Sequence, residues 1–409
     1  MTRIASIPAG TAWLVLAVVS IANFGNFYVY DSIGPVAELL QRLRGFSDTQ
    51  IGLLNAIYSL PNIVLLLVGG MLVDRVGVGR MMAATAGVCF LGAALTAFGA
   101  DFNGMAAGRL LFGIGAETFN IATLAAIVRF APPLHAAFAI GVSLALGRAG
   151  AFAVDMSPTW MPAAYADGWQ PPLVVAAVFA GVSLVMALAF AIIERRSGMA
   201  APPDRGERGA RWDAVYRFGP AYWHLLALTA LWYAVIFAFR STFSIKYFQH
   251  VHGLGLAAAA AINAWVFLAA LVATPFFGWV CDRARRYAPL LAFGAGMLPL
   301  AIAAIAATER APWAGTVLIG ISFSLVPAVL WPLTARIVPA ARYGTAIGLI
   351  SVAMNAGIAG ANLVAGQLND RFGAGAANPD GYGPMMTFFF AAGVAAFGFS
   401  LLLWRAARK

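Results

Sequence analysis

Six ionisable residues stand inside long apolar stretches of this 409-residue chain: Asp31, Arg109, Glu117, Arg148, Asp155 and Arg240. A charge at such a position is expensive in hydrocarbon unless it is paired or wetted, so each is a functional candidate. Glu117 is twelve residues from Met105 and twelve from Arg129, about 18 Å of helix either way. Arg148 is as central in its own stretch, eleven residues from Ala137 and eleven from Thr159. An acid and a base at one depth on neighbouring segments either form a structural ion pair or hold the two ends of a zwitterion. Asp155 lies seven residues beyond Arg148, on nearly the same helix face and about 10 Å further along. For a proton-coupled process, Glu117, Asp155 and Asp31 are the candidate carriers, in that order of depth. Arg109 reads as architectural, a guanidinium able to cap neighbouring helix ends. Asp31 and Arg240 either gate an outer cavity or snorkel to the interface. Asn355 and Asn362 serve as polar glue between helices or as cavity lining.

Other chemistries find little footing. Cys89 and Cys281 are far apart with no CxxC spacing, and His250-x-His252 has no further ligands nearby, so no metal site is expected. Neither a P-loop nor HExxH nor a Ser/His/Asp set emerges, so direct ATP drive, a resident cofactor and enzyme activity are not expected.

The elements that must position these residues follow from composition. Apolar residues make up 62% and charged residues 10%, against roughly 25% charged in a soluble domain. Most of the surface therefore faces something other than water, and the net charge of +10 does not describe a nucleic-acid-binding face. Stretches long enough to cross a bilayer, about 20 residues each, fall near 12–40, 50–73, 79–99, 104–130, 136–160 and 172–193. Six more fall near 220–246, 257–281, 288–307, 312–337, 343–366 and 384–404. The first runs past signal-peptide length and reads as a span. The chain is thus an all-α membrane protein of twelve transmembrane helices, divided six and six. Residues 1–194 form one half, 195–218 a solvated cytoplasmic linker, and 219–409 the other half. With both termini on one side, 18 of the 26 Lys and Arg fall in segments on that side and 5, including Lys246, on the other. That bias places both termini in the cytoplasm.

The halves repeat. A shift of 207 residues lays Ala139-Ile140-Gly141 on Ala346-Ile347-Gly348 and Arg129 on Arg336. The same shift puts Asn355 and Asn362 at the places of Arg148 and Asp155; at 208, Gly70…Asp74-Arg75 falls on Gly278…Asp282-Arg283. Two six-span halves in parallel repeat describe the major facilitator architecture, with a substrate site expected between the halves near mid-membrane. The run from Gly69-Gly70 through Asp74-Arg75 to Arg80 resembles that superfamily's cytoplasmic signature, and Arg109-Leu110-Leu111-Phe112-Gly113 its second one.

Within the superfamily the chain resembles the lysosomal dipeptide transporter family. Tyr30-Asp31, Tyr58-Ser59-Leu60-Pro61-Asn62, Phe112-Gly113-Ile114-Gly115-Ala116-Glu117 and Arg148 carry the likeness in the first half. Leu330-Trp331-Pro332, Gly344-Thr345-Ala346 and Asn355 carry it in the second. The resemblance implies that Glu117 holds a dipeptide's ammonium and Arg148 its carboxylate, with Tyr30, Tyr58, Trp331 and Asn355 around them. It implies a small-molecule partner, possible coupling to protons, a monomer in the lipid bilayer and no nucleic acid. Short tails and an arginine- and alanine-rich make-up suit a bacterial inner membrane. The competing expectations are a drug/proton antiporter or organic-anion carrier on the same fold, and a non-transporting membrane sensor.

Overall fold

The computed structural model describes residues 9–130, 136–197, 218–284, 286–307, 312–339 and 342–406. The described chain is almost wholly helical, as a chain surrounded by lipid must be to bond its own backbone. Twelve long helices follow one another: α1 Ala9–Tyr30, α2 Asp48–Val76, α3 Val78–Phe98, α4 Phe102–Phe130, α5 Ala136–Trp160 and α6 Gln170–Arg196. The rest are α7 Pro220–Ala238, α8 Leu256–Ala284, α9 Tyr287–Ala307, α10 Pro312–Ile337, α11 Tyr343–Arg371 and α12 Gly383–Ala406. Among the described residues eleven helical stretches are long and apolar enough to cross a membrane, and α2, with 29 residues, supplies the twelfth. Large apolar side chains such as Leu91, Val178, Val272 and Leu300 point outward, which suits a lipid surround rather than water.

The helix ends depart from the spans expected above. The first span bends after α1 through a 3-10 turn, Gly34–Val36, into a short helix, Ala37–Arg44. The seventh does not end at 246: α7 passes through a π turn, Phe239–Phe243, into a further helix, Ser244–Val251. His250 therefore sits on a helix, and Lys246, counted among the loop charges, is buried. A carboxylate partner, described below, makes that burial tolerable. Likewise α6 runs to Arg196, past the span end expected at 193, so Glu194 is a buried helical residue and the helix continues into the first two residues of the expected linker. The linker residues 198–217 lie outside the described residues.

The packing resolves into two compact units. One comprises Met1–Ser32, Val64–Val154 and Gln170–Glu207; the other comprises Ile33–Ile63, Asp155–Trp169 and Arg208–Lys409. In the first, α3 packs on α4 and α6, and α1 on α4 and α6, around Val15, Val19, Met82, Phe119, Phe130 and Phe190. In the second, α9 packs on α10 and α12, and α7 on α11 and α12, around Trp232, Phe239, Leu298, Leu325 and Phe389. Three of these pairings, α3–α4, α3–α6 and α1–α6, recur six helices later, as the internal repeat requires.

The second unit also holds the first halves of α2 and the end of α5. At its end formed by the start of α2, α2 and α11 come into backbone contact. A Cβ on Gly52 would lie 2.4 Å from the Asn362 carbonyl oxygen, and one on Gly366 would lie 2.5 Å from that of Asp48. Only glycine permits this approach. Ser47 and Gln50 close a reciprocal capping box on the first turn of α2, Gln50 N–H to Ser47 Oγ at 3.2 Å and Ser47 N–H to Gln50 Oε1 at 3.0 Å. We expect Gly366→Val to force the two helices apart and lower the thermal midpoint of the purified protein, since overpacking costs about 1–3 kcal/mol. Thermal unfolding in detergent checks this, with the exposed Gly360, which has open space around it, as the control position.

Candidate functional site

The first unit fixes the helices that carry the central acid and base. On α5, Gly147 and Gly150 face α1 so closely that added Cβ atoms would meet the Phe27 ring at 2.9 Å and the Phe24 carbonyl oxygen at 2.1 Å. Asn23 of α1 donates to the Ser143 carbonyl at 3.1 Å. Arg148 stands between those two glycines, so its rotation about α5 is set by the α1 contact. On α4, Asn120 accepts from Asn26 of α1 at 3.3 Å, which fixes the turn that also carries Glu117. Both charged side chains are half-buried, amid fully buried neighbours such as Ala116, Thr118, Gly147 and Gly150. Glu117 and Arg148 thus each sit on a helix bonded to α1.

Arg109 has a different task. Its guanidinium donates to the carbonyls of Val29 at 3.1 Å and Tyr30 at 3.0 Å, capping the end of α1 with a positive charge. It thereby holds the half-buried Tyr30 and the buried Asp31 in place. At the opposite end of this unit, buried Glu194 of α6 accepts from Gly79 N–H at the start of α3 at 2.9 Å and pairs with Arg129 of α4 at 3.0 Å. Sequence reasoning passed over Glu194; its signal was an acid one turn from the end of a span, facing an arginine at the end of another. Around the signature loop Arg75 and Arg80 are exposed, and Gly113 is buried on α4. The surroundings of Gly70 and the side chains of Asp74 and Asp282 lie outside what the structure describes, and exposed Arg283 rests against the Trp279 ring at 5.8 Å.

The second unit gathers a buried polar layer. Asp155 of α5 and Arg240 in the π turn, singled out separately in the sequence, form a salt bridge with both side chains buried. Asn263 of α8 donates to Asp155 Oδ2 at 3.1 Å and to the Arg240 carbonyl at 3.2 Å. The Arg240 guanidinium lies 4.0 Å from the centre of the Phe267 ring, a cation–π contact that helps offset desolvation. On the other side of the π turn, Asn55 of α2 donates to Thr242 Oγ1 at 2.7 Å, and Thr242 donates to Asn362 Oδ1 of α11 at 2.6 Å. One turn on, Lys246 forms a buried salt bridge with Asp48 at the start of α2. Asp370 of α11 accepts from the backbone N–H groups of Asp48 and Thr49 at 2.7 and 2.9 Å, capping α2 from outside.

Asp48, Asp370 and Asn263 were not named from the sequence, and Lys246 was read only as an outer-side loop charge. For Asn263 a signal existed: at the 208-residue shift it is the repeat counterpart of Asn55. Deeper in the same unit, Asn62 of α2 donates to Asn355 Oδ1 of α11 at 3.4 Å; Tyr58 is buried on α2 and Trp331 half-buried on α10. His250, expected in a loop, bonds through Nδ1 to the Tyr382 hydroxyl at 2.8 Å.

Comparison with known proteins places this geometry in context. The family model of the Major Facilitator Superfamily matches residues 19–362. The lysosomal dipeptide transporter MFSD1 of Homo sapiens is 28% identical over 375 residues, covering 88% of this chain and 80% of the relative. A probable nitrate/nitrite transporter, NarK2 of Mycobacterium tuberculosis, is 27% identical over 346 residues, covering 80% and 82%. Among solved structures, a bacterial homologue of the human lysosomal transporter Spinster, inward-facing and unoccupied, superposes with a TM-score of 0.78 at 17% identity over 97% of this chain and 98% of that one. The D-xylose-proton symporter superposes with a TM-score of 0.75 at 14% identity over 96% and 97%.

Removing one partner of a buried ion pair costs about 3–5 kcal/mol, because the other charge is left unanswered. Arg240→Met is therefore expected to lower the thermal midpoint sharply, and Asp155→Leu added to it to restore most of the loss. Thermal unfolding of the two single variants and the double variant reads this coupling directly.

Proposed function

The chain belongs to the major facilitator superfamily and is a membrane transporter, and from that premise we propose that its cargo is a dipeptide or similar small zwitterion moved by alternating access. The observation that carries this reading is the half-buried acid and base on α4 and α5. A zwitterion brings both countercharges to a site that already holds both partners, so neither Glu117 nor Arg148 is left unanswered when it binds. In this reading Glu117 holds the ammonium, Arg148 the carboxylate, and Tyr30, Tyr58, Trp331 and Asn355 contact the remainder of the substrate. The likeness to MFSD1, a lysosomal dipeptide transporter, supports the same class of cargo.

The rest of the scheme is proposed on the same footing. The six-helix halves, residues 1–194 and 219–409 joined by 195–218, are the repeating bodies of the transport cycle, and the protein acts as a monomer in a bacterial inner membrane. The Lys and Arg bias supports termini in the cytoplasm. The Asp155–Arg240 and Asp48–Lys246 pairs then latch the outer side. With Asp155 engaged by Arg240 and Asn263, Glu117 is the preferred carrier for any coupled proton, with Asp31 after it.

A second reading comes from the nitrate/nitrite relative: a small inorganic anion bound at Arg148. A bare anion would be repelled by Glu117, which favours the zwitterion. Uptake into proteoliposomes discriminates. Labelled dipeptide should accumulate and be competed by other dipeptides, whereas nitrate should compete weakly. Glu117→Gln and Arg148→Ala should each reduce dipeptide uptake tenfold or more, since a hydrogen bond to a charged group is worth about 1.5–3 kcal/mol. Unchanged uptake in both variants would remove Glu117 and Arg148 from the site.

A further inference from the structure

The core of the first unit holds a cavity that the transport reading does not use. It lies where α1, α3, α4 and α6 meet, and its volume of about 10 Å³ is the threshold for one water and too little for more. Cys89 of α3 and Phe112 and Phe119 of α4 line its apolar side. A cavity lined by such groups alone stays dry.

Two oxygens make this one different. Asn26 of α1, 5% exposed, lines the cavity and turns its amide nitrogen to Asn120. Its Oδ1 is buried and has no hydrogen-bond partner among the described residues. Ser183 of α6, 3% exposed, also lines the cavity. Its hydroxyl donates to the Ala22 carbonyl at 2.8 Å, which leaves the oxygen able to accept. The second unit closes the corresponding junction otherwise. An added Cβ on Gly150 would meet the Phe24 carbonyl, and one on Gly357, its repeat counterpart, would meet that of Ala230. The two contacts lay α1 on α7 so that Asn26 falls on Trp232. There a wholly buried indole fills the space and donates through Nε1 to Ser322 Oγ at 3.0 Å. The amide of Asn26 is far smaller, and it brings an unanswered acceptor where the indole brings a bonded donor.

We propose that the cavity binds a single water, which donates to Asn26 Oδ1 and Ser183 Oγ and so joins α1 to α6. A buried water needs at least two polar partners of this kind. With Oδ1 answered by the water, Nδ2 of Asn26 stays with Asn120, on the turn of α4 that carries Glu117. Neither Glu117 nor Arg148 lines the cavity, so the inference stands whatever the cargo proves to be.

X-ray radiolysis of the purified transporter in heavy-oxygen water tests it, because hydroxyl radicals formed from a bound water mark the side chains beside it. Phe112 and Phe119 should take up label about tenfold faster than Phe190 and Phe389, rings as deeply buried in the two cores. Asn26→Leu keeps the side-chain shape without the oxygen and should return both rings to the level of those controls. Ser183→Ala should lower their labelling about threefold. Thermal midpoints close to that of the unmodified chain would show that both variants fold. Labelling of Phe112 and Phe119 at the control level in the unmodified chain, or unchanged labelling in the folded variants, would overturn the proposal. So would a thermal midpoint that rises in sodium over choline chloride and loses that rise in Asn26→Leu, since the occupant would then be a cation.

Discussion

Inside a bilayer a charge persists only beside something that answers it, and a backbone carbonyl or N–H only when it is bonded. That constraint orders this structure more than any apolar contact, because apolar packing between helices gains little over contact with lipid. Where the helices need to be held in one arrangement, the chain spends its few polar groups. Arg109 answers the carbonyls at the end of α1, Glu194 answers both Arg129 and the start of α3, and Asp370 answers the start of α2. Each joins elements distant in sequence, and each replaces a hydrogen bond that lipid cannot supply. Glu117 and Arg148 differ in that both remain half-buried.

The same constraint explains what the sequence could and could not disclose. Span number and the twofold repeat were legible because a bilayer imposes length and because both halves use the same helix pairings. The intramembrane charges were legible one at a time, since any charge in an apolar run is conspicuous. Their pairing was less so. Asp155 and Arg240 stand 85 residues apart, and nothing in either local sequence says that α5 meets the π turn after α7. Lys246 was read as a loop charge for a sound reason: without a partner it would lie at the interface. Asp48, 198 residues away, reverses that, and so a helix extends where a loop was expected. Glu194 was hidden for the opposite reason, being followed in sequence by two arginines that suggest solvent while its own side chain is buried.

The π turn after α7 shows how such a layer is organised. Residues two apart on a helix point to nearly opposite sides, so Arg240 and Thr242 serve different neighbours. Arg240 faces Asp155 on α5, while Asn263 on α8 holds its carbonyl; Thr242 stands between Asn55 on α2 and Asn362 on α11. The repeat relates these sets, Asn55 to Asn263 and Asp155 to Asn362. One turn of helix thus ties two equivalent helix pairs, with an ion pair on one side and a neutral amide–hydroxyl chain on the other.

The chemical difference between the two sides has a mechanical consequence. A buried ion pair is held by attraction that barely exceeds the desolvation of its charges, and neutralising either member turns the balance sharply. A neutral hydrogen-bonded chain has less to lose and responds little to charge. Loss of either charge would therefore weaken the α5–α8 side of this end of the unit more than loss of a hydrogen bond would weaken the other. The α2–α11 side is reinforced by the Gly52 and Gly366 contacts. At the repeat-related positions 155 and 362 the two sides thus differ as acid against amide, an ion pair on one side and a neutral hydrogen-bonded chain on the other.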